Sequence, residues 1–270
     1  MPVLAVLTRT AAADQNILEL RKLGLKCWVK SARVLIRRAL PNEHTMTIRD
    51  QREEDRSSLC EAAAAAFRLV DQVAEAVVQL ANSSGEHHIA CHRGCRTCCT
   101  VIVTVTHAEA SAIAASLLAP SRGERLRRFR EQMALWHAAV GPEVALLERL
   151  ATEYESLPPA EPDSRLLAEA ARTYRQRKLM CPFNATDGSC EIYPVRPVGC
   201  RAFYVADTSE YCSLEATQEV AVVRHAKLTE ITALARRVLR GASAASGNDT
   251  VLALPAGVER ALSAMEGVPR

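Results

Sequence analysis

Cysteine spacing is the feature that most constrains what this chain can form. Eight of its ten cysteines fall in two short stretches. The first is CHRGCRTCC, which holds Cys91, Cys95, Cys98 and Cys99. The second holds Cys181, Cys190, Cys200 and Cys212. Isolated cysteines are ordinary small core residues, whereas closely spaced ones supply several thiolate ligands at little extra ordering entropy. The spacing therefore predicts a metal centre, and because residue 181 lies 82 positions after residue 99, the second stretch must fold back onto the first.

Composition favours a helical protein and gives no signature of a membrane or nucleic-acid partner. Of the 270 residues, 49% are hydrophobic and only 4% are aromatic, and alanine is abundant. The formal net charge is only +3, from 34 basic and 31 acidic side chains. No apolar run reaches about 18 residues, and the opening MPVLAVLTRT is too short for a signal peptide. We therefore expect a cytoplasmic protein, where clustered cysteines serve metal binding or catalysis more often than disulfides.

Hydrophobic periodicity predicts helices on both sides of the cysteine stretches. The predicted elements are helices at 53–82, 108–119, 122–156 (one long helix or a helix pair, bent near Gly141-Pro142), 164–178 and 214–239, with a strand at 101–106. Thr106 and Glu109 form a capping-box pattern at the start of the second helix. No internal repeat and no long alternation of strands and helices occurs. The predicted fold class is mainly α: an irregular helical domain with one or two short strands and two cysteine-rich metal-binding loops.

Composition also divides the chain into three parts. Residues 1–45 form a basic N-terminal extension, since residues 1–42 carry eight Lys or Arg against only Asp14 and Glu19. We expect this extension to be unstructured, or to precede a translation start at Met46. Residues 50–240 are predicted to form the helical cysteine-cluster domain. Residues 241–270 are rich in Ala, Ser and Gly, and we expect a loosely ordered tail there.

The second cysteine stretch has the local chemistry of a ligand loop. Asp187-Gly188 predicts a tight turn that lets Cys181 and Cys190 approach each other, and two prolines stiffen the chain that follows. Four thiolates around a 2+ centre leave a net charge of about −2, so nearby cations lower the cost of burying it. The arginines placed in sequence to do this are Arg93, Arg96, Arg196 and Arg201. Tyr193, Phe203 and Tyr204 are expected to pack over the centre, or else to line a small pocket beside it.

These segments jointly resemble the bacterial YkgJ-type cysteine-cluster family, described as a zinc- or iron-chelating domain. The resemblance covers about residues 88 to 205: the CxxxCxxCC head, a short VxVTxxEA segment, the loop CPFNATDGSCEIY and the ending RPVGCRAF. It implies metal chelation through Cys91, Cys95, Cys98, Cys99, Cys181, Cys190 and Cys200. Cys212 is added from spacing alone. Flagellin lysine N-methylases look similar around their cysteines, but no further part of the chain matches them.

The metal itself is left open by the sequence. Adjacent residues Cys98 and Cys99 cannot easily place both sulfurs on one tetrahedral Zn(II), which favours two metals or two irons of one cluster. We therefore predict an iron-sulfur cluster, of the 4Fe-4S type, with Zn(II) as the alternative. Cys27 and Cys60 stand apart and are interpreted as packing residues. The nearby histidines are expected to be solvated loop residues rather than ligands; they are His87, His88 and His92.

Several classes of function fit such a centre. The spacing of Cys91, Cys95 and Cys98 matches the cluster-binding triad of radical S-adenosylmethionine enzymes, but those enzymes build it on a βα barrel that the predicted elements do not provide. A redox or methylase-like enzyme, a metal carrier and a zinc-stabilised interaction module all remain open. Hydrolytic and nucleotide-dependent chemistry have no positive support, because no phosphate-binding glycine loop or HExxH sequence occurs. The expected partner is the metal ion or cluster, and the sequence specifies no protein partner.

Overall fold

The computed structural model describes residues 48–84, 89, 91, 95–154, 164–205 and 225–267. These ranges contain eight α-helices and two short strands. The helices are α1 (Ile48–Ser84), α2 (His107–Leu117), α3 (Gly123–Ala139), α4 (Pro142–Tyr154), α5 (Ser164–Gln176), α6 (Val198–Arg201), α7 (Ala226–Ala245) and α8 (Leu254–Glu266). The strands are β1 (Thr104–Val105) and β2 (Leu252–Ala253), which pair antiparallel. The prediction of a mainly α fold is confirmed.

Helix positions follow the hydrophobic pattern, with differences at the ends. The helix predicted at 53–82 extends over Ile48–Ser84. Of the two alternatives at 122–156, the helix pair forms, since α3 ends at Ala139 and α4 begins at Pro142, as expected where a proline lacks the amide that would continue the helix. The predicted strand 101–106 is reduced to Thr104–Val105. The start of the helix predicted at 214–239 lies outside the described residues, as does the whole basic extension 1–45.

The C-terminal part of the chain corrects the expectation of a loosely ordered tail at 241–270. Residues up to 245 complete α7, and β2 and α8 follow. One face of α8 is buried in the core by Leu254, Val258, Ala261 and Leu262. Those positions follow the helical period, so the periodicity of this segment was a better guide than its Ala, Ser and Gly content.

Helix α2 lies between two hydrophobic clusters. One cluster joins α1 to α7 through Phe67, Val70 and Leu234, and Ala108 of α2 contributes to it. The other joins α2, α3 and α8, and it includes Phe183, whose ring stacks on Phe129 with centroids 4.5 Å apart. Phe183 belongs to the second cysteine stretch. The hydrophobic core therefore anchors that stretch directly.

A buried carboxylate ties α2 to the last ligand-bearing turn. Glu109 is fully buried, and one of its oxygens accepts hydrogen bonds from the amide and hydroxyl of Thr106, at 2.9 and 3.0 Å. The predicted capping box is confirmed. Its other oxygen accepts from the amide of Val198 at 2.9 Å, at the start of α6. Because a buried polar group is costly unless it is hydrogen-bonded, this carboxylate holds α6 against α2.

No helix in the described part of the chain is both long and apolar enough to cross a lipid bilayer.

Close packing of α8 on β1 gives a stability prediction. A Cβ added at Gly257 would lie 2.6 Å from Cγ2 of Val105, whereas one added at Gly241, inside α7, meets no atom within 4 Å. We expect Gly257→Ala to lower the free energy of unfolding by about 1–3 kcal/mol, because the stiff valine must shift. Gly241→Ala should raise it by about 0.5–1 kcal/mol through helix propensity. Urea denaturation of both variants measures this, and equal effects of the same sign would contradict the packing argument.

Candidate metal centre

The first cysteine loop ends in a tight turn. Residues Thr97–Cys99 form one turn of 3₁₀ helix, closed by a 2.9 Å hydrogen bond from the amide of Cys99 to the carbonyl of Arg96. Cys99 is buried, and Cys91, Cys95 and Cys98 are half-buried. The loop lies between α1 and β1, so its ends are held by the two core clusters.

The second stretch folds back on itself as predicted at Asp187-Gly188. Gly188 has a φ of 82°, which glycine adopts without steric cost, and the carboxylate of Asp187 accepts a hydrogen bond from the amide of Ser189 at 2.9 Å. Asn184 and Cys190 form an isolated antiparallel bridge across this turn. The chain then continues through a 3₁₀ turn at Tyr193–Val195 into α6, which carries Cys200.

Hydrogen bonds join the two cysteine stretches at four described points. The amide of Cys181 donates to the carbonyl of Cys99 at 2.7 Å. The side-chain amide of Asn184 donates to Sγ of Cys99 at 3.5 Å, and Arg96 donates to the carbonyl of Thr186 at 3.3 Å. Farther along the second stretch, the amide of Val205 donates to Sγ of Cys91 at 3.2 Å. The backbone thus brings the two stretches together, which is the folding back that the sequence predicts.

Cys98 interacts electrostatically with thiols of both stretches. Its negative charge contributes to raising the pKa values of other thiols in both stretches, namely Cys91, Cys99, Cys181, Cys190 and Cys200. The Cys99 thiol donates a hydrogen bond to Cys98, which lowers the pKa of Cys98 and raises that of Cys99. Cys91 is paired in the same way with Cys95, and that hydrogen bond raises the pKa of Cys91.

Burial controls the second-stretch thiols. It raises the pKa of Cys181 to about 12, and it raises the pKa values of Cys190 and Cys200 as well. All three pack against the larger hydrophobic cluster. Such sites disfavour thiolates unless a cation is present, so a metal entering this region must displace protons from these thiols.

The thiols are gathered but not arranged as ligands. Among the described residues, no three His, Cys, Asp or Glu side chains are spaced so that they could hold an ion as they stand. Side chains commonly change rotamer on binding while the backbone moves little. The observation that bears on fit is therefore the donor set, which is sulfur-rich, drawn from two loops and partly removed from solvent.

The four arginines predicted to balance the charge of the centre divide into separate roles. Arg201 is only 4% exposed and does not serve the thiols: its guanidinium pairs with Asp71 of α1 and donates to the carbonyls of Arg196 and Pro194 at 2.7 and 2.6 Å. It also lies 4.4 Å from the ring centroid of Phe67. Arg201 therefore fastens the ligand loop to α1, a role for which the sequence offered no signal because Asp71 is 130 residues away. Arg93 lies outside the described residues.

Seven of the eight predicted ligands are described and lie together in this region, whereas Cys212 lies outside the described residues, as do His87, His88, His92 and Cys27. Cys60 is half-buried on α1, and its pKa is raised by burial with no cysteine among the causes. Asn184, which contacts Cys99, was not predicted as a site residue. Its position directly after Cys-Pro-Phe is the only sequence signal that it gave.

The rate of thiol modification should show the lowered pKa of Cys98. In the reduced, metal-free protein at neutral pH, we expect iodoacetamide to modify Cys98 several-fold faster than the similarly half-buried Cys60, because a lowered pKa gives a larger thiolate fraction and thiolate is the nucleophile. Cys99→Ala removes the hydrogen-bond donor and should slow the reaction at Cys98. Peptide mass spectrometry measures both rates. Equal labelling of Cys98 and Cys60 would contradict the assigned hydrogen bond.

The Arg201 contacts predict a large effect on stability. Arg201→Met leaves two carbonyls and a carboxylate without their donor, and we expect a loss of about 2–4 kcal/mol in the free energy of unfolding. Asp71→Asn should cost less, since the Asp71 side chain is 40% exposed and partly screened. Arg68→Gln, at an exposed position of the same helix, is the control and should be neutral. If urea denaturation gave Arg201→Met the same free energy of unfolding as the Arg68→Gln control, this role would be refuted.

Comparisons with protein-family models, with curated proteins and with solved structures found no significant match to this chain. The resemblance to the YkgJ-type family therefore stays a prediction made from its motifs.

Proposed function

We propose that this chain is a cysteine-ligated metal-binding protein and that its centre is an iron-sulfur cluster. The observation that carries the proposal is the convergence of thiols from two distant stretches on Cys98, supported by the 2.7 Å backbone hydrogen bond between Cys181 and Cys99. Seven buried or half-buried cysteines in one region have no comparably economical explanation as packing residues. Membership of the YkgJ-type family is part of the same proposal.

The number and placement of the thiols favour a polynuclear centre over one zinc ion. A tetrahedral ion takes about four ligands, so seven thiols exceed the needs of one ion. Cys98 and Cys99 are hydrogen-bonded to each other and both interact with the second stretch, so the adjacent pair points into one shared region. An iron-sulfur cluster of the 4Fe-4S type accepts such a donor set and supplies one-electron transfer when bound. The chain's own residues would ligate it and keep water away from it.

Zinc remains the second candidate for one structural reason. Cys181, Cys190 and Cys200 pack against the larger hydrophobic cluster, which is where a structural metal contributes most to folding. A zinc-stabilised interaction module or a metal carrier would follow from that outcome. A redox role follows from the cluster, and a methylase-like role rests on the resemblance alone. The cytoplasm is the proposed location because it keeps clustered thiols reduced.

Metal content tests the proposal directly. The full chain, purified without oxygen, is expected to be brown and to contain iron with acid-labile sulfide, whereas a colourless protein with stoichiometric zinc would replace the cluster by the second candidate. Cys98→Ser should lose most of the metal, since its thiol interacts with both stretches, and Cys200→Ser should also lose metal. Cys60→Ser is the matched control and should keep it. Wild-type protein without either metal, or full loading of Cys98→Ser, would overturn the proposal.

A further inference from the structure

A buried thiolate centre needs compensating positive charge, and the described arginines near it differ in whether their guanidinium groups are already paired with other acceptors. Arg201 is occupied by Asp71 and two backbone carbonyls, and Arg96 donates to the carbonyl of Thr186. Arg196 is different, because its positive charge acts on Cys98, Cys190 and Cys200 together. The charge of Arg196 therefore acts on thiols of both stretches.

The position of Arg196 is fixed by its neighbours. Its guanidinium carbon lies 4.2 Å from the ring centroid of Tyr193, in a cation–π arrangement. Its carbonyl accepts the 2.7 Å hydrogen bond from Nε of Arg201, so the Arg201 contacts with α1 also hold the backbone of Arg196. The guanidinium is thus held against an aromatic ring, and its backbone is fixed by the hydrogen bond from Arg201.

One hydrogen-bond donor of Arg196 is left over. Its Nε is buried, and no acceptor for it exists among the described residues. A buried N–H without an acceptor is unfavourable and is rare in native proteins. The unmet donor lies on the side chain whose charge acts on three candidate metal ligands, and ionised sulfur is an acceptor that charge-assisted hydrogen bonds favour.

We propose that Arg196 is a positioning residue of the loaded centre, and that its Nε–H donates to a sulfur atom of that centre. This inference rests on the proposed metal-binding function and adds a specific partner for the negative charge. Second-shell donors of this kind typically change metal affinity by about 10–100-fold. Hydrogen bonds and positive charge near cluster sulfurs also favour the reduced, more negative state, so they raise the reduction potential.

The experiment compares arginine variants in the full chain. Zn(II) affinity is measured by competition with a chromophoric chelator, and the midpoint potential is measured after reconstitution with iron and sulfide. We expect Arg196→Met to weaken Zn(II) binding about 10-fold and to lower the potential, and Arg196→Lys to fall between Arg196→Met and wild type. Arg68→Gln, which removes an exposed arginine of α1, should resemble wild type.

A purely structural role for Arg196 would give a different result for the stability of the chain. Because its Nε has no acceptor among the described residues, Arg196→Met should lower the free energy of unfolding of the metal-free chain much less than it lowers the free energy of metal binding. Equal loss of stability with and without metal, or unchanged affinity and potential, would overturn the inference while leaving metal binding intact. Wild-type protein that binds neither zinc nor a cluster would overturn both proposals.

Discussion

The hydrogen bond from the amide of Cys181 to the carbonyl of Cys99 lies where the two cysteine stretches meet, and the arrangement of the site depends on that meeting. Each stretch alone offers three or four sulfurs on a short loop, and loops hold side chains less precisely than helices do. The structure compensates by attaching both loops to the core. Phe183, two residues after Cys181, stacks on Phe129, and Glu109 accepts a hydrogen bond from the amide of Val198, two residues before Cys200. The ligand loops are therefore positioned by packing and by a buried carboxylate on α2.

Burial of the thiols makes their ionised forms unfavourable unless a positive charge compensates for them. Burial raises the pKa values of Cys181, Cys190 and Cys200, and among the described thiols with a shifted pKa only that of Cys98 is lowered. In the metal-free state each added thiolate therefore repels the others. A metal cation reverses this balance, because it stabilises several thiolates at once. Metal binding and proton release are thus expected to be one event in this fold.

The folding back of one cysteine stretch onto the other and most of the helices could be predicted from the sequence because both depend on local patterns. Cysteine spacing and the Asp187-Gly188 turn involve neighbours in the chain, and helix α1 repeats its apolar residues at the helical period. The errors came where composition was preferred to pattern, as in the segment that forms α8, and where a contact joins distant residues. The pairing of Arg201 with Asp71 could not be predicted, because Asp71 is one of several acidic residues along α1 and only the tertiary fold selects it.

Two arginines five residues apart in one short motif have different roles. In RPVGCRAF the arginine before the proline is Arg196 and the one after the cysteine is Arg201, and sequence alone assigned both to charge balance. Arg201, at the end of the single turn α6, reaches back to α1, whereas the charge of Arg196, which precedes that turn, acts on the thiols. Nε of Arg201 also donates to the carbonyl of Arg196, so Arg201 fixes the backbone of Arg196. Loss of Arg201 should therefore disturb both the fold and the charge environment of the thiols, whereas loss of Arg196 should disturb only the charge environment.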